Sequence, residues 1–255
     1  IFFYKKKVNK ILMKNNKING IELKNNKVID CDTVIFNGDP KALFDGLLGD
    51  EIQNAVSNNN INKRSLSAYV WSFAAKTQGL DLLHHNVLFN KNYKSEFDDI
   101  KRGEIPKDPT LYICAQGSIN NPRPKEKSLG RFEIIINGSP TYNHKKYNKQ
   151  KEYTKCKEIT FSILDSMGLK MDLKPTEEML TTPKEFEQLF PGSQGSLYGR
   201  TPHGISSTFM RPRNKSKIKG LLLAGGGTHP GAGIPMACLS GKHAAEMILK
   251  DLSLT

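Results

Sequence analysis

Residues 221–235 read LLLAGGGTHPGAGIP, and this stretch decides the fold class. The run LLLA is typical of a short strand that is buried on both faces of a sheet. The glycines that follow remove every side chain at the carboxyl end of the strand, where open α/β sheets bind their ligands. Small and apolar residues then recur at helical spacing from Ala237 onward, so the loop leads into a helix that begins near residues 234–236. The sequence therefore predicts a strand–loop–helix unit of an α/β fold.

The loop has the properties of an anion site. Free N–H groups and the positive end of the helix dipole would point into the space that the glycines leave open, which suits a pyrophosphate or the electron-rich end of a reduced flavin. A P-loop is excluded because no Gly-Lys-Ser/Thr follows the glycines. A plain glycine-rich turn without a ligand is the alternative, but glycines and prolines at this density are costly to order unless something fills the space.

The remaining chain alternates strand-like and helix-like segments. Residues 7–36 predict a small antiparallel meander that ends in a buried strand, and Asp39 can cap a helix that has Pro40 at its first position. Residues 61–140 contain several further strands around short helices, which favours a mixed sheet inserted into the first domain. Residues 147–167 have the spacing of a long helix, and a shorter helix begins at residues 182–183.

The charge and the cysteine content indicate which partners and which redox compartment to expect. The net charge is +13, carried largely by Lys/Asn-rich stretches. Such runs are typical of solvated surface, and attraction to an anionic membrane surface is the functional alternative. We expect no nucleic-acid partner because no binding motif or aromatic platform accompanies the charge. The four cysteines form no CxxC pair, which indicates a reduced compartment without a zinc site.

Several stretches, in the same order, resemble the phytoene desaturase family of FAD-dependent carotenoid desaturases. The run GLLLAGGGTHPGAGIPMACLSGKHAAEMIL, at residues 220–249, is similar to the closing flavin-binding motif of that family. Residues 8–40 resemble its adenine-side strands, and residues 67–89 its substrate domain. LYGRTPHG at residues 197–204, with PMACLSG, is most similar to the 1-hydroxycarotenoid 3,4-desaturase branch.

The resemblance implies an architecture. It predicts a Rossmann-like, amine-oxidase-type FAD-binding domain in pieces, with a mixed-sheet substrate domain inserted. Residues 1–45 would form the meander and crossing strand of the FAD-binding domain, residues 46–195 the substrate domain, and residues 196–255 the closing FAD-binding segment.

The resemblance also implies the cofactor contacts. The ribityl and phosphate side of FAD would lie along Gly225, Gly226, Thr228 and His229. The isoalloxazine ring would lie by Gly231, Gly233, Ile234, Pro235 and Met236. The backbone of Val8 would meet the adenine, although Val8 also suits a core strand position.

Catalytic side chains are harder to assign. Arg200, His203 and His229 are weak candidates, and each also suits a purely structural role in a loop. His84 and His85 could suggest a metal pair, but neighbours on a strand point to opposite faces and no third ligand is evident, so we expect no metal. Tyr69, Trp71 and Phe73 share one face of a strand, as core residues or as a wall for a polyene.

The expected function follows from the family. We expect FAD-dependent desaturation of a carotenoid, at the 3,4 bond of a 1-hydroxylated acyclic one, by a cytoplasmic enzyme on the membrane surface. A retinol-saturase-like reductase, or another flavin oxidoreductase acting on lipids, is the alternative enzyme. A basic membrane- or nucleic-acid-binding module is the alternative of another class.

One departure from the family pattern concerns the start of the chain. Family members begin with a Gly-x-Gly-x-x-Gly turn that holds the FAD pyrophosphate, and nothing before Gly225 fits that fingerprint. We therefore expect the sequence to be the C-terminal part of a longer protein, and we expect this part alone to hold FAD poorly.

Overall fold

The computed structural model describes residues 1–116, 129–143, 147–201 and 210–253. The chain divides into two compact units. Unit 1 comprises Ile1–Ser65, Glu187–Ser193 and Leu197–Thr255, and unit 2 comprises Leu66–Phe186 and Gln194–Ser196. Residues 46–65 thus belong with the first unit, whereas the sequence places them in the substrate domain. The reason is that Ile52, Ala55 and Ile61 pack in one apolar cluster with Ile11 and Leu221.

Groups of strands are separated by α-helices along the chain. The strands are β1 (Val8–Lys14), β2 (Lys17–Leu23), β3 (Val28–Asp30), β4 (Val34–Phe36), β5 (Ser67–Gly79), β6 (His85–Leu88), β7 (Leu111–Gln116), β8 (Gly130–Gly138), β9 (Leu169–Asp172), β10 (Leu180–Thr181) and β11 (Leu221–Leu223). The α-helices are α1 (Pro40–Phe44), α2 (Tyr93–Lys101), α3 (Lys149–Ser166), α4 (Pro183–Leu189) and α5 (Ile234–Ser253). The predicted α/β class is confirmed.

Unit 1 contains two small sheets. The antiparallel meander β1–β2–β3 has a tight first hairpin, because Asn15 and Asn16 both adopt positive φ (51° and 60°), as a two-residue turn requires. The second sheet pairs β4 with β11 in parallel, with Val34 opposite Leu221. All three side chains of β11 are buried, as the apolar run predicts.

Unit 2 is built on one antiparallel sheet. The strand order is β10–β5–β8–β7–β6, and β9 pairs with the far end of β5. Each of these pairings is antiparallel, so the predicted mixed sheet is wrong in this detail. Alternation along a strand shows which side chains face the core, but it does not encode the direction of the neighbouring strand.

The core of unit 2 lies between this sheet and α3. Trp71 is fully buried, and its indole N–H donates to Thr160 Oγ1 at 3.1 Å. The Trp71 ring meets Phe161 edge to face, with 5.4 Å between the ring centroids. Tyr69 is also buried, and Phe73 packs against the same cluster. These three aromatic side chains are therefore core residues, one of the two roles their shared face suggests.

The length and the apolar character of the helices show whether any of them could span a membrane. Within the described ranges, no helix is both long and apolar enough to cross a bilayer.

Candidate flavin site

The site begins at the edge where β4 and β11 end side by side. Because the two strands are parallel, their carboxyl ends meet at the same edge of the sheet. The Ala224 amide extends the pairing by donating to Phe36 O at 3.0 Å. After this point β4 leads into α1 and β11 leads into the glycine loop, which we define as residues 225–233. Both connections therefore border one space, as ligand sites in α/β sheets do.

The connection after β4 follows the predicted cap. Asp39 is the N-cap of α1, its Oδ1 accepts from the Lys41 amide at 2.9 Å, and Pro40 occupies the first turn. The other carboxylate oxygen, Asp39 Oδ2, is paired with the buried guanidinium of Arg64. One carboxylate thus fixes both the start of the helix and a buried cation.

Buried polar side chains hold the first part of the glycine loop. The Gly225 amide donates to Ser240 Oγ of α5 at 2.7 Å. The side-chain amide of Asn214 donates to Leu223 O at 3.0 Å and to Ser240 O at 2.9 Å, so it ties the strand to the helix. The His229 amide donates to Pro212 O at 2.8 Å, which anchors the loop further along. These hydrogen bonds tie the loop to α5 and to the segment that precedes β11.

Two glycines of the loop show why particular positions carry no side chain. A Cβ on Gly227 would lie 2.8 Å from Pro40 Cδ, so any side chain there would push the loop away from α1. Gly233 adopts φ of 98°, yet a Cβ there would meet nothing within 4 Å. At Gly233 the conformation requires glycine while the space beside it stays open to a ligand.

Arg211 is the central buried side chain of the site. Its guanidinium donates to three backbone carbonyls, at Tyr198 (2.8 Å), Gly226 (3.0 Å) and Arg200 (3.0 Å). Burial lowers the pKa of Arg211, the charges of Arg64 and Arg200 lower it further, and Asp39 opposes the shift. Arg211 thus lies within electrostatic range of two further guanidinium groups and of one carboxylate, and this excess of positive charge favours a phosphate ligand.

Thr228 gives the sharpest test of whether a ligand fits. Its side chain is fully buried at 0% exposure, and Oγ1 has no hydrogen-bond partner among the described residues. A buried hydroxyl left unpaired costs about 1–3 kcal/mol. A ligand oxygen beside the loop would remove that cost, so the residues present fit a phosphate or ribityl group.

The other predicted cofactor contacts lie in three places. Gly231 is buried within the loop, whereas Ile234, Pro235 and Met236 form the exposed first turn of α5. The first N–H groups of that helix have no partner within the helix itself. Val8 lies away from the loop in sequence, at the start of β1. It lines an apolar cavity of about 410 Å³ together with all three residues of β4.

Two of the three catalytic candidates, Arg200 and His229, lie within the described residues. The Arg200 guanidinium donates to Asn59 O and to Asn62 Oδ1, so it ties its own loop to the segment that precedes β5. His229 contributes its amide to the loop anchor described above. His203 lies outside the described residues.

The sequence does not predict three residues that hold the glycine loop: Arg211, Asn214 and Ser240. Their partners are backbone carbonyls and an amide that only the folded loop brings within reach. No local pattern in the sequence marks such a side chain.

The structure contradicts the expectation that the rings of His84 and His85 point to opposite faces of a strand. His84 lies just before β6 begins at His85, so strand alternation does not separate the two rings, and their centroids are 4.3 Å apart. A third potential ligand, Cys114, lies beside them, and donor atoms of all three residues lie within 4.8 Å of one another.

Comparison with known proteins identifies the class of protein to which the chain is similar. Residues 162–249, which include the glycine loop, match the family model of flavin containing amine oxidoreductases. The fold is similar to that of an oxidoreductase from Methanosarcina mazei, with a TM-score of 0.53 at 15% identity, over 94% of this chain and 49% of that one. That likeness concerns the fold alone. Membership of a flavin-containing family implies FAD as the cofactor.

Curated relatives narrow the class. The chain is 46% identical over 250 residues to the hydroxyneurosporene desaturase of Cereibacter sphaeroides, covering 98% of this chain and 49% of the relative. It is 45% identical over 251 residues to the protein of that name from Rhodobacter capsulatus, with the same coverage of 98% and 49%. It is 31% identical to the 1-hydroxycarotenoid 3,4-desaturase of a Flavobacterium species, covering 97% and 50%.

These similarities confirm the predicted family. The chain belongs to the carotenoid desaturase family of FAD-dependent oxidoreductases. It spans about half the length of the curated relatives that it matches.

Proposed function

We propose that this chain forms part of an FAD-dependent desaturase that introduces a double bond into a carotenoid. The proposed substrate is an acyclic carotenoid with a 1-hydroxyl group, and the new double bond is the 3,4 bond. The observation that carries the proposal is the 46% identity to a hydroxyneurosporene desaturase over 98% of the chain. The more distant 1-hydroxycarotenoid 3,4-desaturase supports the choice of bond.

The glycine loop is the proposed contact for the flavin. FAD, when bound, supplies the acceptor for the hydride that leaves the substrate. The backbone of the loop and the Thr228 hydroxyl would contact the phosphate and ribityl side, and the first turn of α5 would lie by the isoalloxazine ring. Arg211 donates to the carbonyl of Gly226 in the glycine loop and to the carbonyls of Tyr198 and Arg200 outside it, so its proposed role is to anchor the loop and add positive charge.

The cavity beside Val8 is the proposed place of the adenine. Its lining is apolar, from the meander and β4, and a flat aromatic ring is the part of FAD that such a lining suits. Val8 would contact it through the backbone of the first residue of β1. The cavity and the glycine loop lie in the same unit and share β4 as a neighbour.

The units take their proposed roles from the family. Unit 1 would be the FAD-binding part and unit 2 the substrate-binding part. Because hydride acceptance belongs to the flavin, the substrate domain needs to exclude water and orient a long apolar molecule, and it needs no catalytic triad. Arg200 is proposed as a loop-holding residue, since its donors meet Asn59 O and Asn62 Oδ1.

Pigment analysis tests the activity. The complete coding polypeptide would be expressed in cells that accumulate candidate acyclic carotenoids, and the pigments would be separated and their absorption spectra recorded. Desaturation lengthens the chromophore, so a product absorbing at longer wavelength is expected with a 1-hydroxylated substrate. An unchanged chromophore would contradict desaturation, and a shortened one would favour a saturase-like reductase.

Attachment to a membrane surface is a separate proposal that rests on charge. The net charge of +13 favours anionic lipid, and a carotenoid has to be drawn from a bilayer. Vesicle flotation compares anionic with neutral vesicles at low and high salt. Salt-sensitive flotation with anionic vesicles alone is expected. Binding to oligonucleotides but to neither kind of vesicle would favour a nucleic-acid-binding module instead.

A further inference from the structure

A cluster of nitrogen and sulfur donors lies at one edge of the sheet of unit 2, away from the glycine loop in sequence. His85 on β6 pairs directly with Cys114 on β7 in the antiparallel register. Residues opposite each other in such a pair place their side chains on the same face, with Cβ atoms about 4.5–5.5 Å apart. The pairing continues beyond β6, because the Ala115 amide donates to His84 O at 2.9 Å.

The cluster lies on the sheet face opposite the core. Ile113 and Ala115 alternate with Cys114 along β7, and both belong to the core cluster, whereas Cys114 does not. Cys114 is nevertheless buried, at 8% exposure, and its thiol is free. His84 Nε2 lies 3.8 Å from the Cys114 sulfur. A cysteine on the outer face of the sheet is thus buried beside imidazoles rather than in the core.

The surroundings hold the two imidazoles in place. His85 Nδ1 is 2.7 Å from the Tyr112 hydroxyl, which orients that ring from a position two residues before Cys114 on β7. The Asn86 side chain accepts from the Leu83 amide at 2.9 Å and donates to Ile113 O at 3.2 Å, so it fixes the turn that carries both histidines. Hydrogen bonds of this kind orient the ligands of metal sites in proteins.

One imidazole nitrogen is left without a role. His84 Nδ1 is buried and has no hydrogen-bond partner among the described residues. An unpaired buried polar atom is uncommon in folded proteins, and water, an ion or another ligand can satisfy it. The other nitrogen, Nε2, faces the Cys114 thiol, so a cation between the two residues would bind Nε2 and leave the proton of the neutral ring on Nδ1.

We propose that His84, His85 and Cys114 bind a Zn²⁺-class divalent cation. Two imidazoles and one thiolate are the donors that Zn²⁺ prefers, while Mg²⁺ and Ca²⁺ require oxygen. With Zn–S near 2.3 Å and Zn–N near 2.0–2.1 Å, tetrahedral geometry separates the donors by about 3.3–3.6 Å. The three donor atoms already lie within 4.8 Å of one another, so small side-chain rotations close the site.

Binding has a defined proton balance and an open position. The Cys114 thiol loses its proton to solvent as the metal–sulfur bond forms, and both imidazoles bind as neutral ligands. Three protein donors leave the fourth tetrahedral position to water. The cation would tie the turn before β6 to β7.

Cobalt titration tests the proposal on the 255-residue chain, reduced and stripped with chelator. Co²⁺ occupies Zn²⁺ sites and reports a bound thiolate by a charge-transfer band in the near ultraviolet. One Co²⁺ per chain with that band is expected, together with displacement by Zn²⁺. Cys114→Ser removes the band, His85→Asn weakens binding at least about tenfold, and the control Cys238→Ser, at an exposed cysteine, changes neither.

The contrary outcomes are equally defined. Absence of a saturable thiolate band in the native chain overturns the proposal, and so does a band that persists in Cys114→Ser. Circular dichroism verifies that each variant is folded. If Cys114→Ser does not fold, His85→Asn decides, because His85 is exposed, and unchanged affinity in that variant overturns the proposal.

Discussion

Replacing Thr228 by valine is the perturbation that most sharply separates a ligand-binding loop from a structural one. Thr228 and Thr160 are both completely buried, at 0% exposure, but their hydroxyl groups differ. Thr160 Oγ1 accepts from Trp71 Nε1 at 3.1 Å and donates to Cys156 O at 2.6 Å, whereas Thr228 Oγ1 has no partner among the described residues. Thr160→Val is therefore a matched control.

The two substitutions should change stability in opposite directions. Thr228→Val removes an unpaired hydroxyl and keeps the shape of the side chain, so the free energy of unfolding of the flavin-free chain should rise by about 1–3 kcal/mol. Thr160→Val leaves the Trp71 N–H unpaired in the core, and the free energy of unfolding should fall by a similar amount. Each kcal/mol corresponds to roughly 2–4 °C in Tm for a chain of this size.

Flavin binding should show the reverse effect at Thr228. In the complete coding polypeptide, Thr228→Val loses one hydrogen bond to FAD, which corresponds to a Kd roughly two- to tenfold higher. Thr160→Val should leave the Kd unchanged. Urea unfolding monitored by circular dichroism and flavin fluorescence titration measure the two quantities. A Thr228→Val chain destabilised as strongly as Thr160→Val would refute the reasoning, because its hydroxyl would then have a partner in the free protein.

Three further expectations concern other buried groups. Arg211→Met removes three charged hydrogen bonds and should lower the free energy of unfolding by about 2–4 kcal/mol in a urea titration. The control Arg213→Met, at an exposed arginine, should change the free energy of unfolding by no more than about 0.5 kcal/mol. At pH 8 a thiol reagent should modify exposed Cys238 in the native protein but reach Cys156 only after unfolding; equal rates would contradict its burial. Burial raises the pKa of the Cys156 thiol from 9.0 to about 12. The stability that the neutral thiol contributes is therefore complete below pH 9 and is lost as the pH rises through 12. Urea midpoints measured across that range of pH should fall accordingly.

Local signals explain how far the sequence predicts the site. The run at residues 221–235 predicts the strand, the loop and the start of α5, because buried strands, glycine turns and helix faces are short-range patterns. The Asp39 cap with Pro40 in the first turn follows from two adjacent residues in the same way. These elements were predictable because each depends on neighbours in the chain.

Long-range contacts explain what the sequence does not predict. Arg211 bonds to carbonyls of residues 198, 200 and 226, and no spacing pattern marks a side chain that binds backbone atoms. The proximity of His84 to Cys114 depends on the register of β6 against β7, and a shift of one residue would turn Cys114 to the other face. The direction of the strands in unit 2 was missed for the same reason.

The most direct measurement of the central claim maps FAD onto the chain by NMR. Adding FAD to isotope-labelled protein shifts the amide signals of the residues that contact it, even when binding is weak. The flavin-site account predicts shifts concentrated in residues 225–236 and near Val8, with Gly103 of unit 2 unchanged as an internal reference. Shifts confined to unit 2, or none in the glycine loop at the highest FAD concentration, would contradict it.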